Sequence, residues 1–357
     1  MHDALRQPYG KMGFGLMRYS VAPVVVVIDR TQVGKSLHAL TGIACNAPIV
    51  GSVQEALAYQ PDTLVPAIAP PGGALPSDWW KEIKAGVAAG LSLVNGLHRP
   101  LADDPELTSL LRPGRFIWDI RQPPTNLQNG AGRAREVPAL RVLIVGTDMS
   151  NGKMTAAIEL DRAARARGMR SRFLATGQTG IVIAGEGVAL DAVRVDFAAG
   201  AVETMILQYG YDHEILFIEG QGSLLHPAST APLALLRGAM PTHLILVHRA
   251  GQSSLRRCPW VPIPSLRRVI TLHEAVSAAS GSLPRAHVVG IALNCAHLSD
   301  EESSCAVEEI ARETGLPTTD VIRFGADILV DAIVKAAGRL GSCGAHNKGG
   351  SPAAHPL

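Results

Sequence analysis

The stretch Arg141-Val142-Leu143-Ile144-Val145-Gly146-Thr147-Asp148-Met149-Ser150-Asn151-Gly152-Lys153-Met154-Thr155 decides the fold. Four consecutive apolar residues read as a buried strand. A glycine-bounded polar turn follows, and then a helix over 153–167 that stops near Gly168. A strand feeding a glycine turn that opens a helix is the setting of a phosphate-binding loop. The glycines let backbone N–H groups turn inward around an anion, and the helix N-terminus adds partial positive charge. Lys153 brings a point charge to phosphate oxygens. Five residues separate Gly146 from Gly152, where the common Walker pattern has four. Met154 stands where the metal-holding hydroxyl belongs, and Thr155 follows one place later. The expected anion site is therefore Gly146, Thr147, Asp148, Ser150, Asn151, Gly152, Lys153, Met154 and Thr155. Thr155 reaches a metal only if the helix start is shifted.

Alternation of strand and helix continues downstream. Residues 171–175, 215–218, 243–247 and 288–293 are nearly all apolar and read as strands. A long helix is expected over 190–207, another over 301–314 closed by Gly315 and Pro317, and a last one over 326–339. Apolar strands separated by helices imply a parallel sheet covered on both faces. Upstream lies a smaller set. Strands are expected at 23–28, 63–69 (closed by Pro70-Pro71-Gly72-Gly73), 92–95 and 115–119. Helices are expected at 35–43 and 78–89, the second with Ser77 as N-cap. Between the two sets, Pro123-Pro124, Asn129-Gly130 and Gly132 mark a linker. The expected division is an α/β domain over 1–122, a linker over 123–138, a parallel-sheet α/β domain over 139–340, and a disordered tail over 341–357 rich in Gly, Pro, Ser and Ala.

Ligands of parallel α/β sheets sit at the carboxyl ends of strands. Thr176-Gly177-Gln178-Thr179-Gly180 reads there as an anion- or amide-binding turn, with Thr176, Gln178 and Thr179 as substrate contacts. Glu219-Gly220-Gln221-Gly222-Ser223 places an acid at a strand end near the phosphate loop. Glu219 is a candidate general base or Mg²⁺ ligand, Gln221 and Ser223 are candidate substrate contacts, and His226 follows. Arg249 and Asn294 close two further strands, the latter suited to an amide or a base. Arg256, Arg257, Arg267 and Arg268 surround a proline-rich loop, as a solvated surface or as an anion clamp. A second Gly-Lys-Ser, within Asp29-Arg30-Thr31-Gln32-Val33-Gly34-Lys35-Ser36, has Asp29 in place of the leading glycine. An aspartate there repels phosphate, so the stretch reads as a helix-opening turn. Lys35 is kept as a substrate contact.

Composition narrows the class. Hydrophobic residues make up 47% of the 357 and charged residues 18%, which supports sizeable cores and excludes general disorder. The formal net charge of +2 excludes a nucleic-acid binder relying on bulk positive charge. No uncharged run reaches the ~18 residues of a membrane span. The apolar run 21–28 ends in Asp29-Arg30 without a small-residue cleavage site, so it reads as a strand and not as a signal peptide. The five cysteines are odd in number and scattered, which fits reduced thiols in the cytoplasm better than disulfides or zinc. The expected partner is a small molecule, with no nucleic acid and no membrane. A homo-oligomer is compatible with all of this.

Two resemblances add to this reading. Gly146-Thr147-Asp148 with Gly152-Lys153, followed by Glu219-Gly220, is similar to the dethiobiotin synthetase group of P-loop enzymes. That likeness implies an ATP-dependent ligase or kinase acting on a small carboxylate, with Mg²⁺ held by Thr155 and Glu219. The wider resemblance runs through Gly15-Leu16-Met17-Arg18-Tyr19-Ser20, Val26-Val27-Ile28-Asp29, Gly34-Lys35, Gly146-Thr147-Asp148, Gly152-Lys153-Met154-Thr155, Ala175-Thr176-Gly177-Gln178-Thr179-Gly180, Ile218-Glu219-Gly220-Gln221-Gly222-Ser223 and His226-Pro227. Together these resemble domain-of-unknown-function family 1611. The resemblance implies an N-terminal Rossmann-like domain, a C-terminal P-loop NTPase-like domain and an N-acetyltransferase moving acetyl from acetyl-CoA to D-glutamate. It also makes Met154 part of the family pattern. Coenzyme A carries a pyrophosphate and a 3′-phosphate, and a Gly-Lys loop at a helix N-terminus suits either. Under this reading Glu219, Lys153 and His226 are catalytic, with Glu219 the base, and glycine-turn N–H groups hold the oxyanion. Lys35 and Arg249, or the Arg256-Arg257 pair, meet the acidic substrate. A non-enzymatic nucleotide sensor is a third reading, against which the acid at a buried strand end speaks.

Overall fold

A computed structural model describes residues 1–5, 10–68 and 75–344 of the chain. In chain order the elements are α1 (Lys11–Tyr19), β1 (Val27–Ile28), α2 (Leu37–Thr41), β2 (Ile49–Val50), α3 (Val53–Ala56), β3 (Thr63–Leu64), α4 (Ser77–Ala88), β4 (Ser92–Asn95), α5 (Pro105–Leu110) and β5 (Ile117–Asp119). There follow β6 (Leu140–Gly146), α6 (Lys153–Ala166), β7 (Ser171–Leu174), α7 (Gln178–Ala184), α8 (Val195–Tyr209), β8 (Ile215–Ile218), α9 (Ala231–Ala239) and β9 (His243–Arg249). The last are β10 (Ser254–Leu255), β11 (Cys258–Pro262), α10 (Leu266–Ala278), β12 (His287–Asn294), α11 (Asp300–Thr314), β13 (Thr318–Thr319) and α12 (Asp327–Gly344). The chain divides into two compact units. The first is Met1–Leu127 with Ala175–Arg194, and the second is Gln128–Leu174 with the chain from Val195 onward.

The first unit holds a parallel sheet β3-β4-β5 and a parallel pair β1-β2. Its core forms where α4 lays Ile83 and Val87 on Leu93, Leu101 and Leu107. Two buried-side carboxylates tie its loops. Asp29, fully buried, accepts from the N–H groups of Asp3, Leu5 and Thr31 and from the Thr31 hydroxyl. Asp119 accepts from Asn95 Nδ2 and from the N–H groups of Leu101 and Ala102. Asp29 thus organises a turn, as its charge at that position requires. The expected strand over 23–28 shortens to two residues, and the helix over 35–43 to five.

The second unit holds one parallel sheet of six strands in the order β13-β12-β9-β6-β8-β7. β6 lies inside it, and Val142, Leu143 and Ile144 are almost wholly buried. From β6 the chain steps to one side for β7 and β8 and to the other for β9, β12 and β13. Such a reversal opens a crevice above the carboxyl end of the strand where it occurs. Here that strand runs straight into the Gly146–Lys153 turn.

Several expectations need correction. The helix expected over 190–207 is two elements: a 3₁₀ turn over Leu190–Ala192 and α8 from Val195. Asp191 in that turn pairs with Arg121, which holds it out of the helix. Residues 175–194 belong to the first unit, so the second unit is discontinuous in sequence. Ser77 is the first residue of α4, not its cap, and Pro76 stands at the N-cap. The segment 128–138 is fastened, not free. Glu203 on α8 is buried and accepts from the N–H groups of Ala131 and Arg133, the first at 2.6 Å. Arg141 donates to the carbonyls of Val137, Ala139 and Met240. α12 runs through Gly344, into the range expected to be tail. Ala69, the Pro70–Gly73 stop and residues 345–357 lie outside the described residues.

Candidate functional site

The loop between β6 and α6 folds as a cradle around its own backbone. Ser150 adopts a left-handed conformation at φ 54°, and Gly152, at φ 115°, is the N-cap of α6. No side chain caps that helix, and its first turn holds no acid. The N–H groups of a helix's first turn have no carbonyl within the helix. Lys153, Met154 and Thr155 therefore present donors at a partially positive terminus, a setting for an anion. Lys153 is buried and donates from Nζ to the Asp148 carbonyl at 2.8 Å and to Asn151 Oδ1 at 3.2 Å. The ammonium is folded across its own loop.

Neighbouring strands brace the loop. Thr147, fully buried, places its hydroxyl 2.9 Å from His248 Nδ1 on β9. Burial pushes the His248 imidazole down to about 4, so it is a neutral partner at physiological pH. Asn151 donates from Nδ2 to the Val247 carbonyl at 2.8 Å. Asn294, at the end of β12, donates from Nδ2 to the Asn151 carbonyl at 2.9 Å. Asn294 was a candidate for recognising a base or amide, and it is instead a brace of the loop. Asp148 points its carboxylate sideways. Oδ1 accepts from the Met149 N–H at 2.6 Å, and Oδ2 accepts from Gln252 Nε2 at 2.7 Å and the Arg256 N–H at 2.9 Å. Asp148 therefore supports the loop and ties it to the β10–β11 hairpin, a role its sequence position did not announce.

The Glu219 loop leaves the adjacent strand β8. Gly220 packs so closely that a Cβ there would lie 1.7 Å from the Ile144 carbonyl oxygen and 3.0 Å from Lys153 Cδ. Only glycine lets this loop lie against the phosphate loop. Glu219 is buried, and its N–H donates to the Leu174 carbonyl. A small crevice is lined by Leu143, Ile144, Lys153, Gly220, Gln221 and Pro232. Ser223 is buried, and its hydroxyl accepts from the Leu225 N–H. His226 is also buried, and its Nδ1 accepts from the Ala228 N–H at 3.2 Å. An imidazole that accepts at Nδ1 carries its proton on Nε2 when neutral, and His226 Nε2 meets no hydrogen-bond partner among the described residues. Arg249 ends β9 opposite Asn294 in register, and burial followed by the charge of Arg256 depresses its guanidinium. Arg256 and Arg257 form the turn of the hairpin, whereas Arg267 and Arg268 lie on α10, where Arg267 bonds the Glu313 carbonyl.

The remaining expected contacts fall in the first unit. Lys35 is exposed and donates to Gln32 Oε1 at 3.1 Å. Thr176 is buried, and its carbonyl accepts from the Leu190 N–H. Gln178 and Thr179 are the first residues of α7, so this stretch opens a helix where a binding turn was expected. For a metal, Thr155 lies in the first turn of α6 and Glu219 at the end of β8. Among the described residues no three His, Cys, Asp or Glu side chains gather as a metal cluster.

A parallel α/β sheet whose central strand ends in a glycine-lysine loop capping a helix defines a P-loop protein. The comparisons then narrow the class. Residues 128–330 match the P-loop domain of a family described as a domain of unknown function, DUF1611, and residues 30–123 match that family's Rossmann-like domain. The chain belongs to the DUF1611 family. A crystal structure of a DUF1611 family protein from Anabaena variabilis superposes with a TM-score of 0.92 at 56% identity, covering 94% of this chain and 97% of that one. Two relatives carry the name D-glutamate N-acetyltransferase. The one from Tritonibacter scottomollicae is 39% identical over 79% of this chain and 84% of its own. That from a Pseudoalteromonas species is 36% identical over 78% and 83%. No helix among the described residues is long and apolar enough to cross a membrane.

Proposed function

We propose that this protein is an N-acetyltransferase that moves acetyl from acetyl-CoA to the amine of a D-amino acid, with D-glutamate as substrate. The observation that carries the reading is a complete phosphate cradle with Met154 where a metal-holding hydroxyl would stand, in a chain similar over about four fifths of its length to relatives bearing that name. A cradle of this kind grips phosphate without requiring phosphoryl transfer, which is what a coenzyme A pyrophosphate needs.

In the proposed reaction the substrate ammonium first loses a proton to solvent. The free amine nitrogen attacks the thioester carbonyl carbon and a tetrahedral oxyanion forms. The C–S bond then breaks, and the proton shed by nitrogen passes through a base to the departing thiolate. Glu219, buried at a strand end beside the cradle, is the proposed base. His226 Nε2–H is a donor without a partner among the described residues, and with the glycine-turn N–H groups it suits the oxyanion. Lys153 holds the donor's phosphates. Arg249 supplies the cationic contact that an acidic substrate requires, with Gln221 and Ser223 as polar contacts. The reaction is placed in the cytoplasm.

A thermal-shift comparison tests the donor. A ligand that binds only the folded state raises the midpoint with the logarithm of its excess over Kd. Acetyl-CoA is expected to raise Tm, and Lys153→Ala to remove most of that rise. A rise with ATP and Mg²⁺ and none with acetyl-CoA would replace this reading with the ligase or kinase one.

A further inference from the structure

The hairpin formed by β10 and β11 follows the end of β9. It is short, and its strands pair irregularly, Ser254 with Pro262 and Leu255 with Cys258. It is nevertheless fixed at the phosphate loop. Asp148 Oδ2 holds both the Gln252 side chain and the Arg256 N–H, and Gln252 Nε2 also donates to the Ser254 carbonyl at 2.9 Å. Leu255 is fully buried and anchors the strand. Its exposed side chains include Arg256, Arg257 and Trp260. Arg256 and Arg257 form its turn, both exposed, and neither side chain makes an ion pair or hydrogen bond with any described residue. Trp260 is 75% exposed, the most exposed aromatic ring among the described residues.

The exposed indole and the two guanidinium groups without a partner among the described residues lie within five positions of one another in the hairpin. One ligand chemistry answers both features: an aromatic base joined to a phosphate. The base stacks on the indole and the phosphate takes the fork of the arginine. The location points the same way. A long acyl donor must send its thioester inward to the base Glu219, while its nucleoside end stays at the rim. Arg249, half-buried at the strand end, lies on the inner side of this arrangement, and Arg256 is close enough for its charge to depress the Arg249 guanidinium.

We propose that the hairpin over 254–262, tethered to the phosphate loop through Asp148, is a subsite for the phosphorylated nucleoside end of the acyl donor. Arg256 takes the 3′-phosphate and Trp260 stacks on the base. The proposal rests on the acetyl-CoA reading and adds to it a reason for this chain to distinguish coenzyme A from a nucleotide lacking a 3′-phosphate.

The test is direct binding to the full chain by titration calorimetry, with coenzyme A and with dephospho-coenzyme A. The wild-type protein is expected to bind coenzyme A at least about tenfold tighter, since a charge-assisted bidentate contact is worth one to two factors of ten. Arg256→Gln is expected to bring that ratio to about one and to leave dephospho-coenzyme A binding unchanged. Trp260 is the only tryptophan of the second unit. A ligand-induced emission change that disappears in Trp260→Leu supports stacking. Equal binding of the two ligands by wild type overturns the subsite and leaves the acetyl-CoA reading standing. Binding of neither overturns both. A ratio that survives Arg256→Gln, or a loss in that variant confined to D-glutamate, assigns the arginine to another anion and overturns the proposal.

Discussion

At the scale of single residues, the proposed chemistry falls on Glu219 and Lys153. Both are buried on elements that meet at Gly220. Glu219→Gln keeps the shape and removes the proton acceptor. It is expected to lower kcat for acetyl transfer by a factor of about 10² to 10⁴ while Tm and the KM for acetyl-CoA change little. Unchanged turnover would remove Glu219 from the base role. The loop residues were legible in the sequence because their chemistry is local: glycines, a lysine and a helix start lie within eight positions of one another. Roles that depend on distant partners were not. Asp148 looks like a ligand contact until Gln252 and Arg256 are seen on its carboxylate. Asn294 looks like a recognition residue until its amide is found on the Asn151 carbonyl. The tautomer of neutral His226 is set by the Ala228 N–H, a contact its place in the sequence does not show.

At the scale of elements, close approach decides which glycines are irreplaceable. A Cβ on Gly220 would strike the Ile144 carbonyl at 1.7 Å, and one on Gly200 would strike the Gln128 carbonyl at 1.8 Å. Both are backbone atoms that cannot rotate away, so each Gly→Ala change is expected to cost about 2–3 kcal/mol in urea unfolding. Their effects on binding should differ. Gly220→Ala should also weaken acetyl-CoA binding, because the loop it displaces packs on Lys153. Gly200→Ala disturbs only the segment docked on α8 and should leave affinity unchanged. Equal loss of affinity in both would argue that binding follows global stability. The central strands were legible as uniformly apolar runs, since both faces are covered. α1, α5, α9 and α10 were not singled out, and residues 190–207 were merged into one helix. The Arg121–Asp191 pair, which holds the turn outside α8, joins residues 70 positions apart and leaves no local trace. The 128–138 segment has the composition of a linker. It is ordered by the buried carboxylate of Glu203, some 70 residues away.

Across the molecule, buried histidines contribute to the response to acid, and burial also lowers His2 and His273. Burial pushes His243 and His248 each down to about 4, His243 with help from the charges of His287 and Arg141. An unfolded histidine titrates near 6.5. Between those values the unfolded chain binds protons that the folded chain refuses, so stability rises with pH through the window and is lost on acidification. The gap corresponds to about 3 kcal/mol for each histidine. Tm should be level above pH 7 and fall steeply from 6.5 toward 4, with a shallower fall in His243→Asn. A fall in His243→Asn as steep as in the wild type would remove His243 from this role.

The most direct test of the central claim is a product assay. The 357-residue protein is incubated with acetyl-CoA and D-glutamate, thiol release is followed, and the product is identified by mass spectrometry. The account predicts thiol release that requires D-glutamate, N-acetyl-D-glutamate as product in equal amount, and no requirement for ATP. Absence of the acetylated product, with ADP formed from ATP and Mg²⁺ in the presence of a carboxylate, would contradict it.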